Sequence, residues 1–383
     1  MSTTSDSDAE MRDVQPRPKH VCPHKTAAAG DKDDRNSPFP MVEVEVALEK
    51  VFENIKPLSE VEEVRSVMDL PPFRASIKDG YAVKSASTAK IRKVVGYISA
   101  GDKIVQENFA DNECFKINTG AAVPKFADAI IQVEDTKLIS SKPDGTELEI
   151  AMLQLPKANC DIRAIGSDLA CGEVLFKTSG ILGVAERSIL ASVGLEKQQK
   201  LPKVAIISTG DELVDPKAGL LREGQIYDSN STTLRLLLEK YGFSAQFIEI
   251  AKDDYESLKD VVSRAMKECD LIISSGGVSM GDKDFVKPLM KELGFEIHFG
   301  RVNMKPGKPM TFATNGNVSY FALPGNPVSA FVTFHIFVLP ALRYMSGFSK
   351  ARSKLPTINV ILQHDKYTLD PRPEFARARV SYS

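Results

Sequence analysis

Tryptophan is absent from the 383 residues, and the five cysteines (Cys22, Cys114, Cys160, Cys171 and Cys269) include no CxxC pair. An odd, scattered set fits reduced thiols better than a disulfide framework. Cys22 and His24 lie close, but no second pair completes a zinc site. Reduced thiols predict a cytoplasmic protein. Excess positive charge is also missing: the net charge of −2 leaves no global basic field, so no nucleic-acid partner is expected. No secretory segment is expected either, because "MSTTSDSDAEMRD" is acidic and polar. Long apolar runs are lacking. The most apolar window, "AFVTFHIFVLPALRYM" (330–345), is short, carries His335 and is broken by Pro340. It predicts a buried core helix rather than a membrane span.

What is present is ordinary for a globular protein, with 43% hydrophobic and 26% charged residues. The length predicts about two or three domains. Residues 1–38 are polar, lack apolar periodicity and predict a disordered tail or linker. Pro40 suits a first helical turn. Val44, Ala47, Leu48, Val51, Phe52 and Ile55 then fall on one helical face, and Pro57 stops it. Between 70 and 160, short apolar runs alternate with turn residues: "YAVK", "KVVGYI", "CFKINTG", "AIIQVEDTKLI" and "ELEIAML". With the turn signal "PDG" (143–145), they predict a small β domain. Residues 161–200 are mixed, with a helix near 184–193.

From about 201 to 346 the rhythm is α/β. "KVAIIS", "SAQFIEI", "DLIISS", "EIHFGRV" and "VSYFALPG" predict strands. "SNSTTLRLLLEKYG", "DYESLKDVVSRAMKEC" and "DFVKPLMKELG" predict helices; Ser229 or Ser231 is the expected cap of the first, and Gly242 its stop. This alternation predicts a doubly wound parallel sheet, whose ligands sit outside the carboxyl ends of the strands. Those ends are chemically rich. They carry Thr209 to Glu212, Asp253 with Asp254, then Gly276, Gly277, Ser279, Asp282 and Asp284. Lys305 and Lys308 follow in "NMKPGKP", and 324–329 read "PGNPVS". Carboxylates, lysines and glycine backbone around one crevice suit a divalent cation bound together with a phosphorylated ligand.

"STGDEL", "DSN", "SSGGVSMGDKDF", "KPGKP" and "LPGNPVSA", in this order, resemble the gephyrin E domain and the bacterial MoeA proteins, which are molybdopterin molybdenumtransferases (molybdenum insertases). "LPPFRASIKDGYAV", "INTGAAVP", "ADAIIQVEDT", "DIRAIGSDL" and "DPRPEF" match further, so the resemblance runs from about residue 37 onward. It implies the following chemistry. Adenylylated molybdopterin and molybdate are the substrates, Mg²⁺ assists, and hydrolysis releases AMP as molybdenum enters the dithiolene. It also implies roles for residues. Glu212, Asp253 and Asp284 match acids tied to catalysis and metal. Asp79, Thr119, Gly276, Gly277, Ser279, Pro324 and Pro327 match substrate-binding positions. Lys305, Lys308, Pro309, Ser329 and Arg377 match molybdate-holding positions.

In the family, the β domain brings Asp79 and Thr119 to a partner subunit's crevice, which implies a homodimer. The resemblance further divides the chain into a linking domain I (39–69 and 161–200), a small β domain II (70–160), an α/β domain III (201–346) and a stub of a C-terminal β domain IV (347–383). Domain I lacks the family's "GRVLA"-type segment and is expected to be shortened, and most of domain IV is expected to be missing. A truncated chain with a weakened dimer and low activity follows as an expectation. A separate G-domain protein or a full-length fusion is an implied partner. The alternative is a gephyrin-like scaffold that binds receptor loops.

Overall fold

A computed structural model of the chain describes residues 39–58, 62–178, 180–197, 199–277, 285–361 and 370–381. The expected tail at 1–38 and the site residues Ser279 and Asp284 lie outside the described residues.

The small β domain is a six-stranded sheet. Its order is Ala129–Gln132, Gly80–Val83, Glu113–Ile117, Ile91–Ile98, Glu147–Met152, Thr136–Ser141. Apolar residues fill both faces: Ala82, Ile117 and Ile130 on one, Tyr81, Cys114 and Ile150 on the other. The "PDG" turn joins two antiparallel strands, with Gly145 N donating to Lys142 O at 2.9 Å. "AIIQVEDTKLI" is not one strand. A single 3₁₀ turn, Val133–Asp135, splits it, and the Asp135 carboxylate accepts from Gln132 and Gln154 side chains. The linking segments form their own small cluster around Val64, Leu182 and Leu190.

The α/β domain contains β1 (Val204–Thr209), α1 (Ser229–Lys240), β2 (Ala245–Ala251), α2 (Tyr255–Glu268), β3 (Leu271–Ser275) and α3 (Val286–Glu292). β4 (Glu296–Phe299), β5 (Thr311–Thr314), β6 (Ser319–Leu323) and α4 (Pro327–Thr333) follow. The sheet order is β2-β1-β3-β6-β5-β4. Strand alternation decides what each face receives. Val204, Ile206, Leu271 and Ile273 meet Leu234 and Leu238 of α1 and the helix Val44–Asn54. Ala205, Ile207 and Ile272 meet Leu258, Val261, Val262 and Ala265 of α2. Each fully buried Leu or Val stabilises the fold by about 1.5–3 kcal/mol. The helix Val44–Asn54, grouped with the linking domain on sequence, thus gives its apolar face to the α/β core.

Three expectations need correction. Pro40 lies outside the first helix, which begins at Val44 behind Glu43. The cap of α1 is neither Ser229 nor Ser231. It is Asp228, whose carboxylate accepts from Asn230 N and Ser231 N at 3.1 and 3.0 Å. These are the second and third helical amides, the ones an N-cap acceptor reaches. The sheet is also not wholly parallel. β5, unassigned on sequence, pairs antiparallel with both β6 and β4. Two reversals restore direction, so β4 runs with β6 and its carboxyl end still faces the common rim.

Residues 327–345 form one helical path, long and apolar enough to cross a membrane by length and composition; 67% of it is buried inside the protein. It changes to π-helical pitch at Phe334–Val338, where Leu339 N donates to Phe334 O. Pro340 follows immediately and has no N–H to offer the regular ladder.

Asp228→Ala should lower the folding free energy by about 1–2 kcal/mol. Urea unfolding measures this, and an unchanged midpoint would remove the cap assignment.

Candidate functional site at the carboxyl rim

The chain moves from β1 to β2 on one side and then to β3 on the other, so the sheet switches direction between β1 and β3. The crevice of a doubly wound sheet opens at such a point. Here the loops touch backbone to backbone. Gly276 N donates to Leu323 O at 3.2 Å, which ties the β3 end to the β6 end. A Cβ on Gly276 would stand 2.6 Å from the Thr209 carbonyl oxygen, and one on Gly325 would stand 3.4 Å from the Gly276 Cα. The glycine pair therefore serves close approach of three strand ends.

The acids divide by task. Asp254 caps α2, accepting from Ser257 N at 2.9 Å. The preceding residue, Asp253, donates its backbone N–H to Asp211 Oδ1 at 3.1 Å, which joins the loop after β2 to the loop after β1. Glu212 is exposed, and its carboxylate lies over Gly210, where an added Cβ would come within 2.7 Å of Oε2. Glu212 O then accepts from Ile226 N at 2.8 Å, and a short parallel ladder carries the chain to Asp228. Asp228 is 1% exposed. Asn230 Nδ2 donates to Gly325 O at 2.8 Å, so the "DSN" segment anchors the loop after β6. In that loop Pro324 is buried, Asn326 Oδ1 accepts from Val328 N at 3.0 Å, Pro327 is the first residue of α4 and Ser329 is nearly buried.

Lys305, Lys308 and Pro309 lie between β4 and β5. Val302 N donates to Lys308 O at 3.0 Å, which folds the loop on itself. Lys305 is engaged by two carboxylates, with Nζ at 3.1 Å from Asp370 Oδ2 and 3.3 Å from Glu374 Oε1. Asp370, then Glu374, raise it above the usual lysine range. Arg377 is exposed, two residues beyond Phe375. Sequence reasoning missed Arg301, 3% exposed in the same loop, and gave no individual role to Asp228 and Asn230 of "DSN" or to Asp370 and Glu374 of "DPRPEF". The one basic residue of "FGRV" was the available signal for Arg301.

Asp79 and Thr119 lie in turns beside strands of the small β domain. The Asp79 carboxylate accepts from Thr119 N at 2.7 Å and Thr119 Oγ1 at 3.1 Å. Thr119 also lines a cavity of about 230 Å³ with Phe73, Ser76, Ile77 and Arg163. Arg163, another residue not foreseen, pairs with Asp168 at 3.2 Å. The four described cysteines are free: Cys114 and Cys269 are buried, Cys160 and Cys171 exposed. Burial pushes the Cys114 thiol up to about 12.

Residues 205–344 match the family described as a probable molybdopterin binding domain, and residues 37–194 match the MoeA N-terminal region (domains I and II). A molybdopterin molybdenumtransferase from Haemophilus influenzae is 36% identical over 304 residues, 78% of this chain and 73% of that protein. The chain belongs to the molybdopterin molybdenumtransferase family. Another family relative, the molybdenum cofactor synthesis protein cinnamon of Drosophila melanogaster, is 46% identical across 94% of this chain. The chain spans 60% of the length of that relative. The molybdopterin biosynthesis MoeA protein of Pyrococcus horikoshii is similar in structure, with a TM-score of 0.62 and 31% identity. That likeness covers 80% of this chain and 81% of the Pyrococcus chain. The mixed α/β and β architecture is that of this molybdenumtransferase family.

Proposed function

We propose that this chain carries out the molybdenum insertase step of molybdenum cofactor biosynthesis in the cytoplasm. It binds adenylylated molybdopterin and molybdate at the carboxyl rim, hydrolyses the pyrophosphate link and releases AMP. The observation that supports the reading is the close approach of the β1, β3 and β6 ends at one switch point, with glycine backbone there and Asp211 joining the loops after β1 and β2. Two anions must be held side by side in this reaction; lysines would counter one directly, and the acids would hold a cation for the other.

Mg²⁺ fits the donor chemistry. Hard carboxylate oxygens stand on loops that Asp211 joins to Asp253 N. Among the described residues no group of three His, Cys, Asp or Glu makes a closed cage. Mg²⁺ commonly takes one or two protein carboxylates and shares phosphate oxygens. Glu212, Asp253 and Asp284 would hold it, and it would supply charge neutralisation at the phosphoryl oxygens. The remaining work falls to the chain itself. The bare Cα positions of Gly276, Gly277 and Gly325 let the strand-end loops pack closely, which sets the loop backbone that the substrate would meet. Lys305 and Lys308 counter the molybdate charge, each through charged hydrogen bonds of about 1.5–3 kcal/mol. Ser329 adds a hydroxyl donor, and Arg377 a further cation. Asp79 and Thr119, in turns of the small β domain, act on a second copy's crevice in a homodimer.

The test is AMP release from adenylylated molybdopterin with molybdate and magnesium, using the full chain. Asp284→Ala should remove cleavage while the thermal unfolding curve stays unchanged. Cleavage by that variant at the parent rate would refute the role of this acid.

A further inference from the structure

The segment carrying "DPRPEF" is fastened to the lysine loop by its backbone. Lys305 N donates to Pro373 O at 2.9 Å, and Phe375 N donates to Lys305 O at 2.7 Å. Lys305 and Glu374 form a parallel bridge, and Phe375 packs against the α/β core. The side chains then meet on one ammonium. Asp370 Oδ2 lies 3.1 Å and Glu374 Oε1 3.3 Å from Lys305 Nζ. A lysine has three N–H donors, so two of them are directed at carboxylates. Asp370 is also held by Arg372 Nε at 3.1 Å. Two cations and two carboxylates therefore balance locally.

We propose that Asp370 and Glu374 are built-in competitors for the oxyanion at Lys305, so that they set its affinity and select dianions over monoanions. This rests on the reading of Lys305 as an oxyanion-binding residue. Three observations favour displacement. Lys305 keeps 42% of its side chain exposed, so an anion reaches it from solvent. The segment stays fastened through backbone and Phe375, so only the two side chains need to turn away. Arg372 retains Asp370 once Lys305 lets it go. Partly exposed ion pairs are also individually weak. A tetrahedral dianion brings twice the charge of each carboxylate it displaces. A monoanion brings no such advantage.

Isothermal titration of sodium molybdate into the full chain, at fixed salt, tests this. D370N/E374Q keeps shape and removes charge, and it should bind molybdate about tenfold more tightly, with D370N alone in between. Monoanionic nitrate should gain more than molybdate does. On a Lys305→Ala background the same pair of substitutions should give no gain, which isolates the coupling. Thermal unfolding of each variant controls for folding. Unchanged or weaker binding by D370N/E374Q, where Lys305→Ala does weaken the parent, would overturn this proposal alone. Parent-like binding by Lys305→Ala would overturn both this proposal and the oxyanion role on which it rests.

Discussion

Alanine in place of Gly276 should lower the folding free energy by about 2–5 kcal/mol and abolish AMP release. Two costs combine. Gly276 has φ +92, and a left-handed conformation costs an L-residue about 1–2 kcal/mol. The added Cβ would also meet the Thr209 carbonyl oxygen at 2.6 Å and Thr209 Oγ1 at 2.8 Å. The first of these is backbone in a central strand end and has nowhere to go. Overpacking of this kind costs about 1–3 kcal/mol. Relief would push β1 and β3 apart at the switch point, where the substrate is proposed to bind. Gly316→Ala separates the two costs. Its φ is +86, but nothing lies within 4 Å of an added Cβ. That variant should lose only about 1–2 kcal/mol and keep turnover. Urea unfolding of both, with AMP release, decides the matter. Equal losses would mean that the close approach at Gly276 contributes nothing.

Glu212→Ala and Asp253→Ala should each slow AMP release by about a hundredfold or more, which is roughly 2.7 kcal/mol of barrier. Both acids stand on loops at the rim, one exposed and the other half-buried. Removal of the exposed Glu212 carboxylate should change stability by no more than about 0.5 kcal/mol. The neighbouring acid gives the opposite result. Asp254 spends its carboxylate on Ser257 N as the cap of α2. Asp254→Ala should therefore lose about 1 kcal/mol of stability and keep most of its turnover. Two adjacent aspartates with inverted phenotypes would support the division of labour at the rim. A loss of turnover in Asp254→Ala as deep as in Asp253→Ala would contradict it.

Much of this was legible in the chain itself. A strand of six buried residues such as "VAIIST" must be covered on both faces, and the helical spacing of "STTLRLLLEK" after "DSN" supplies one of the covers. Turn signals and strand-end residues are local properties, so the rim could be assembled from sequence. β5, "TFAT", was not assigned on sequence, although β4 is equally short. The better signal was the Asn315–Gly316 turn behind it, where Asn315 N donates to Val318 O at 3.2 Å.

The sequence alone determined the alternation of strands and helices, the polar and glycine-rich loops at the strand ends and the family to which the chain belongs. Each depends on the side-chain period or on residues close along the chain, and those need no partner from afar. Tertiary structure decided the rest. Only the fold shows that Gly276 rests on Thr209, that Asn230 holds Gly325, and that the helix Val44–Asn54 completes the α/β core. Only the fold brings Asp370 and Glu374 to Lys305. An ion pair depends on distance in space, and no periodicity or local turn signal records which distant carboxylates the folded backbone will set beside an ammonium.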